Sequence, residues 1–426
     1  MRKNVVLLVV LGAVLALATS LGLHAGESSA TQNCLAWERS AANSAGPNDP
    51  VGVGRPAIDR LAADGPYGKL LGDWVADNCM RLNHVQVLGT HNSYHIQPRP
   101  ALLQAIASFD PQAAASMEYT HRPLDEQFGL LGIRQVELDV FADPARPGLF
   151  AVPLGPILVQ GFPDPIKPEL LDPGLKVLHT QDIDFETRCL TFVSCLQAIK
   201  AWSDANPGHL PVMVLVQAND AVVPLPPGLP PLTVPAPFGA AALDEIDANI
   251  RSLFPDDQLI TPDDVRGGRA TLEQAVLKDG WPTLNESRGR LLFAFDNTDA
   301  KRDLYLAGHP SLEGRVMFTS SPPGSPESAF VKVNDPLANQ GYISQLVEAG
   351  YIVRTRADEN TLEARYGLTA RRDAALASGA QFVSTDYPEP DPDFLPGYFV
   401  EVGDETNARC NPVLSPPGCD SSALEP

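Results

Sequence analysis

The chain is predicted to fold as an α/β protein, a TIM-type (β/α)8 barrel with disulfide-pinned N- and C-terminal extensions, and three observations predict it. Eight short β-like runs recur between residues 85 and 388, helical patterns or loops separate them, and polar residues gather where the runs end. Parallel strands joined by helical crossovers build such a barrel, and its chemistry sits at the carboxyl ends of the strands. The 426 residues are 44% hydrophobic, enough for a sizeable core. Proline (41) and glycine (33) together stay below the roughly 25–30% that marks low-complexity chains. A formal net charge of −21 opposes binding to nucleic acid, whose phosphates repel an acidic surface, and opposes adsorption to anionic lipid by charge alone.

Taken in order, the chain opens with Arg2 and Lys3 ahead of the apolar run from Val5 to Leu17, and small residues cluster near Ala25 and Ala30. Residues 1–30 therefore read as an export signal, which implies a secreted or periplasmic protein, and residues 31–80 as an N-terminal extension. Cysteines 34, 79, 189, 195, 410 and 419 form an even set that fits disulfides in an oxidising compartment. Cys189 with Cys195 and Cys410 with Cys419 are near enough to close small loops, leaving Cys34 for Cys79, although six cysteines allow 15 connectivities. The barrel is expected over residues 81–395, and residues 396–426 form the C-terminal extension. Its strands are expected at Val85–Thr90, Gln135–Val140, Leu175–Thr180, Val212–Gln217, Leu291–Phe295, Arg315–Thr319, Ile352–Arg356 and Gln381–Thr385. Helices are expected at Arg188–Ala205, which the breaker Asn206-Pro207-Gly208 stops, and at Leu243–Leu253, Leu272–Lys278, Ile343–Ala349 and Thr361–Ala377. An open doubly wound sheet is the rival architecture, but no glycine-rich phosphate loop follows the first run. Residues 151–174 and 221–240, rich in Pro and Leu, read as extended loops that either pack on the surface or form a lipid-contacting rim.

The ends of the runs carry the candidate chemistry. The first closes on Gly89-Thr90-His91-Asn92-Ser93-Tyr94, the third on Val177-Leu178-His179-Thr180, the seventh on Arg354 and Arg356, and the eighth on Asp386. In the second, Gln135, Glu137 and Asp139 alternate with Val136, Leu138 and Val140, so both carboxylates project to one face. Neither face of a parallel barrel is wet, and two like charges there repel unless a cation lies between them. A hard divalent ion, most naturally calcium, supplies that compensation. His91 and His179 titrate near neutrality, so one can accept a proton from an attacking hydroxyl while the other protonates a leaving group. His24, His84, His95, His121, His209 and His309 carry no such context. Arg354 and Arg356 share a strand face and can bind a substrate anion or pair with Glu137 and Asp386.

These stretches, together with Gly132-Ile133-Arg134-Gln135-Val136-Glu137-Leu138-Asp139-Val140, Trp202-Ser203-Asp204-Ala205-Asn206-Pro207-Gly208-His209, Val353-Arg354-Thr355-Arg356-Ala357-Asp358 and Gly379-Ala380-Gln381-Phe382-Val383-Ser384-Thr385-Asp386-Tyr387-Pro388, resemble the calcium-dependent phosphoinositide phospholipase C family. The likeness is closest to its secreted, single-barrel microbial branch and runs from about residue 80 to residue 412. The resemblance implies a phosphodiesterase barrel that cleaves phosphatidylinositol-type phospholipids at a membrane surface to diacylglycerol and a cyclic inositol phosphate, with no protein partner. It implies that His91 stabilises the pentavalent phosphorane, that His179 acts as general acid, and that one calcium ion sits on Asn92, Glu137, Asp139 and a carboxylate ending the fourth run. Gln217 stands where the family has Glu; its amide can still ligate calcium, but the site loses one negative charge and weak binding follows. Two other functions fit less well. A glycerophosphodiesterase shares the Glu-x-Asp pair, but its His-Arg-Gly and Pro-Glu-Asn-Thr runs are absent, and a catalytically silent inositol- or lipid-binding barrel has Gln217 as its support.

Overall fold

The computed structural model describes residues 77–425 apart from 226, 227, 229, 396, 404–406, 417 and 418. The expected export signal and Cys34, with its pairing to Cys79, lie outside the described residues. Ten strands form in chain order: β1 (Val85–Thr90), β2 (Gln135–Phe141), β3 (Lys176–Val177), β4 (Val212–Ala218), β5 (Leu291–Phe295), β6 (Met317–Thr319), β7 (Phe330–Lys332), β8 (Ile352–Arg356), β9 (Phe382–Thr385) and β10 (Ala408–Cys410). Eight of them line up as β6-β5-β4-β2-β1-β9-β8-β7, and a parallel bridge between Ser320 and Phe330 brings the two edges together into a nearly closed barrel. Helices follow most of the strands, so the barrel class expected from the sequence is the one observed.

Its membership differs at one stave. Leu175–Thr180 does not enter the barrel; only Lys176 and Val177 form a strand, antiparallel to the end of β2 through Val140 and Val177. Leu175, Val177 and Leu178 are buried, so their apolar pattern reports packing rather than a place in the parallel sheet. The missing stave is β7, whose three residues are too few to show a period of two. Val212–Gln217 thus belongs to the third barrel strand, not the fourth, and His179 sits on a turn beside the barrel mouth.

The helix Phe192–Ala205 starts where Thr191 caps the Ser194 N–H at 3.1 Å and stops at Asn206, as the breaker requires. The expected helix over 361–377 is two, Leu362–Tyr366 and Ala370–Ala377, parted at Gly367, which takes the left-handed conformation at φ 62. The segment 151–174 is not wholly extended, since it holds a helix at Leu154–Gln160 and a 3-10 turn at Pro168–Leu170. Leu232 and Phe238 pin the segment 221–239 to the body, and no helix or strand forms among its described residues.

Both expected short-loop disulfides, Cys189–Cys195 and Cys410–Cys419, are present. The second holds β10, which pairs antiparallel with β1 from Val85↔Cys410 onward. The staves leave the catalytic mouth at the opposite end, where β1, β2, β8 and β9 deliver their last residues.

Candidate active site

His91 follows β1, and its Nδ1 lies 2.8 Å from Oδ1 of Asp386, which follows β9. Arg356, ending β8, donates to the other oxygen of Asp386 at 3.2 Å and sets its second terminal nitrogen 3.4 Å from His91 Nε2. With the carboxylate accepting the Nδ1–H, the neutral ring carries its lone pair at Nε2, on the side of the Arg356 guanidinium. Burial first, then the charge of Arg356, holds the His91 pKa down to about 4. Burial works against the charged form of Asp386, but its contacts with His91 and Arg356 outweigh that and keep the carboxyl well below its usual range.

His179 meets a different environment. Its Nδ1 lies 2.6 Å from Oδ2 of Asp184, and that carboxylate also receives His95 Nε2 at 2.8 and 2.9 Å. Burial opposes charge on His179, but Asp184 outweighs it and pushes the pKa up to about 9. A tight turn fixes the pair, because Thr180 and Asp184 exchange backbone hydrogen bonds of 2.8 and 2.9 Å. The fully buried His95 ring donates from Nδ1 to the Tyr119 carbonyl at 2.9 Å and stacks on the Tyr119 ring with centroids 4.1 Å apart. Ligand atoms of His95, His179 and Asp184 come within 4.8 Å of one another, but both His95 nitrogens already face acceptors, so proton sharing accounts for the cluster. Tyr119 also lies 6.4 Å from His91 between centroids, so its ring neighbours both His91 and His95.

The carboxylates of β2 project into the barrel as the alternation requires. Glu137 is paired with Arg354 at 2.5 Å, and Arg354, 1% exposed, also donates to Asn334 at 2.7 Å. Both arginines are thus held by the carboxylates the sequence offered as alternative partners, Arg354 by Glu137 and Arg356 by Asp386. Asp139 Oδ1 and Asn92 Oδ1 are buried acceptors that no donor reaches among the described residues. Burial, then the charge of Glu137, raises Asp139 to about 8. Asn92 takes a positive φ of 44 and gives its amide N–H to the Tyr119 hydroxyl at 3.1 Å, which turns Oδ1 away from that donor. Gln217 stands beside Asp139 in the β2–β4 register. Oxygen-only donors, two of them buried without a hydrogen-bond partner, fit a hard cation.

Beside Asp386 opens a polar cavity of about 420 Å³, lined among others by Thr120, His121, Arg122, Glu389 and Asp391. His121, half of whose ring nitrogens bind the His91 carbonyl through Nε2 at 2.8 Å, belongs to this wall. The sequence reading sets His95 and His121 aside as histidines without context, which the structure corrects by placing His95 on Asp184 and His121 on the His91 carbonyl, and it does not single out Asp184 or Tyr119. Asp184, five residues after His179, was the one accessible signal, since a carboxylate at that spacing can return to the ring across a turn.

The family model described as "Phosphoinositide phospholipase C, Ca2+-dependent" matches residues 80–412. Among solved structures, a calcium-dependent phosphoinositol-specific phospholipase C from Pseudomonas sp. is 15% identical, with 82% of this chain and 99% of that one covered and a TM-score of 0.46. A Ca2+-dependent phosphatidylinositol-specific phospholipase C from Streptomyces antibioticus is 18% identical over 72% of this chain and 95% of that one, with a TM-score of 0.45. The phosphatidylinositol-specific enzyme from Listeria monocytogenes is 10% identical over 76% and 91%, with a TM-score of 0.40. No curated protein matches the chain. The family match spans most of the chain, including β1 through β10, and the chain belongs to the Ca2+-dependent phosphoinositide phospholipase C family of phosphoric diester hydrolases.

Proposed function

We propose that the protein cleaves phosphatidylinositol-type phospholipid by transfer of phosphorus to the inositol 2-hydroxyl, with His91 as general base and His179 as general acid. The observation that carries this reading is the different pairing of the two imidazoles: His91 Nδ1 lies 2.8 Å from Asp386, which Arg356 shares at 3.2 Å, whereas His179 Nδ1 lies 2.6 Å from Asp184, which His95 shares. His91 Nε2 takes the hydroxyl proton as the oxygen attacks phosphorus, and the bond to the diacylglycerol oxygen breaks as His179 supplies that oxygen with a proton. A cyclic inositol phosphate and diacylglycerol leave, and protons balance between the two rings. The resemblance gave His91 the task of stabilising the phosphorane; its lone pair at Nε2 supports a proton-accepting role as well, and Arg356 at 3.4 Å supplies positive charge at the same point.

Asn92, Glu137, Asp139 and Gln217 would hold a calcium ion, whose chemistry is to lower the pKa of the attacking hydroxyl and offset phosphate charge. Glu137 is shared with Arg354, and Gln217 brings no charge, so weak binding of about 10⁻⁴–10⁻³ M, the range of extracellular modules, is expected. Arg2, Lys3 and the apolar run behind them support export, and the two disulfides support an oxidising destination. Product analysis on phosphatidylinositol, with phosphatidylcholine and glycerophosphodiesters as controls and with and without chelator, tests the function. Release of diacylglycerol from phosphatidylinositol alone supports it; turnover confined to the glycerophosphodiesters overturns it.

A further inference from the structure

His95 is fully buried, and each of its ring nitrogens has a fixed partner. Nδ1 lies 2.9 Å from the backbone carbonyl of Tyr119, an oxygen that can only accept, and Nε2 lies 2.8 and 2.9 Å from the two oxygens of Asp184. Burial opposes charge on Asp184, but His95 and His179 outweigh it and hold that carboxyl down to about 2. Both protons therefore belong to His95, and the buried ring is an imidazolium. The Tyr119 ring stacked on it and an antiparallel bridge between His95 and Thr187 keep it beside the turn that carries His179.

Asp184 thus divides one negative charge between two rings, His95 and His179, whose centroids are 5.6 Å apart and whose planes meet at 89°. The division matters when His179 gives up its proton. Were His179 the only partner, the donation would leave a fully buried carboxylate without a counter-charge, which low-dielectric surroundings strongly disfavour. With His95 in place, the donation leaves Asp184 and His95 as a neutral pair, and the charge that departs is the surplus one. Burial opposes charge on His179 and His95 adds to that, whereas Asp184, Asp139 of β2 and Asp386 after β9 favour it. The other titratable groups around the two rings are neutral: Tyr94 and Tyr119 because burial raises their hydroxyls, and His121, 5.5 Å from Tyr119 between centroids, because burial lowers it to about 4.

We propose that His95 is a positioning residue for the acid step, a buried cation that shares Asp184 and lets His179 pass its proton to the departing diacylglycerol oxygen without stranding that carboxylate. The proposal rests on the acid role given to His179 above. The proton moves from His179 to the oxygen as the bond to phosphorus breaks, His179 ends neutral, and His95 keeps both of its protons.

Two experiments test it. In His95→Gln, which puts a neutral amide in place of the imidazolium, kcat on phosphatidylinositol vesicles is expected to fall at least about ten-fold with KM within about two-fold, while turnover of an inositol phosphodiester with a nitrophenol leaving group, which needs no proton, stays within about two-fold. The alkaline limb of the pH–rate profile is expected to move to higher pH, since His179 then has Asp184 to itself and releases its proton less readily. Damage to packing alone lowers both substrates together and does not raise the limb. Equal losses on the two substrates, or a limb that stays or falls, therefore overturn the proposal. Nitrogen NMR of the histidine rings in the full chain needs neither a His95 variant nor activity. In His179→Ala at about pH 8, well above the ordinary imidazole range, one histidine is expected to carry protons on both ring nitrogens. The finding of none overturns the proposal even if His95→Gln fails to fold. Near-normal turnover of phosphatidylinositol by His179→Ala removes the acid role and the proposal with it, and a doubly protonated ring that persists there tells this failure from a failure at His95.

Discussion

The carboxylates behind His91 and His179 differ in what else they hold. Asp386 is shared with the Arg356 guanidinium, which also faces the His91 ring, whereas Asp184 faces only imidazoles. The first arrangement favours a neutral ring and the second a charged one. His91→Ala and His179→Ala are each expected to lower turnover by at least about 10²-fold, the usual worth of a positioned acid or base. A substrate with a leaving group that needs no proton should partly restore His179→Ala and not His91→Ala; equal behaviour of the two variants would sink the division of roles. The pH dependence follows with its sign. His179 is raised from 6.5 to about 9, so its charged form persists to that pH and the activity limb falls as pH rises through about 9. Its contribution to stability is fully present below about 6.5 and is lost as pH rises through about 9, because the folded state binds the proton more tightly. Asp184→Asn should move the activity limb to lower pH, and an unmoved limb in a pH–rate profile would assign it to another group. At the cation site, Gln217→Glu should tighten calcium binding in calorimetry, while Glu137→Gln should weaken it and leave Arg354 buried without its carboxylate.

At the scale of elements, the turn from Thr180 to Asp184 ties His179 to the helix Leu154–Gln160, and Gly155 lets that helix reach it. A Cβ on Gly155 would stand 2.3 Å from the Asp182 carbonyl oxygen and 3.0 Å from a Leu102 methyl. The first contact is backbone and cannot swing away, so Gly155→Ala is expected to cost about 1–3 kcal/mol in denaturant unfolding. An unchanged midpoint would mean the helix can shift without straining the turn. Such contacts explain which features could be seen in the sequence. β2 was legible because the six residues Gln135–Val140 alternate polar and aliphatic side chains, Glu137 and Asp139 among the polar ones, with the period of two that a strand gives. β7 was not, since Phe330–Lys332 offers three residues. His91 and His179 were visible as polar residues ending apolar runs. His95 was not, because its meaning lies in Asp184, 89 positions away in the chain. Arg354 and Arg356 were recognisable as cations at the mouth, with Glu137 and Asp386 as candidate partners, but which arginine takes which carboxylate depended on how the staves close.

For the whole molecule, alternation of strand and helix fixed the barrel class while long-range pairing decided how its closed end is sealed. β10 covers the start of β1, and the residues after it run back under the staves. Arg134, just before β2, donates to Glu425 at 2.6 Å and to the carbonyls of Phe128 and Ile133 at 3.0 and 2.7 Å, and its guanidinium lies 4.9 Å from the Trp202 ring centre. Glu425 also accepts the Leu210 N–H, just before β4, at 2.9 Å. Arg288 joins Asp77 at 2.8 Å to the Leu424 carbonyl at 2.9 Å, so the described start and end of the chain meet at one guanidinium. These groups lie at the amino ends of β1, β2 and β4, opposite the histidines, where a parallel barrel places stability rather than catalysis. Glu425→Ala would leave the Arg134 charge, 8% exposed, with carbonyls but no counter-ion. Breaking a buried pair from one side costs about 3–5 kcal/mol, far more than the pair itself contributes, because the remaining charge has lost its water as well as its partner. The variant is therefore expected to unfold at markedly lower denaturant, while the kcat/KM of the fraction still folded stays within about two-fold of the original, since no catalytic group touches this end. An unfolding midpoint equal to that of the parent would show that water reaches Arg134 and that the C-terminal segment contributes little to holding the barrel shut.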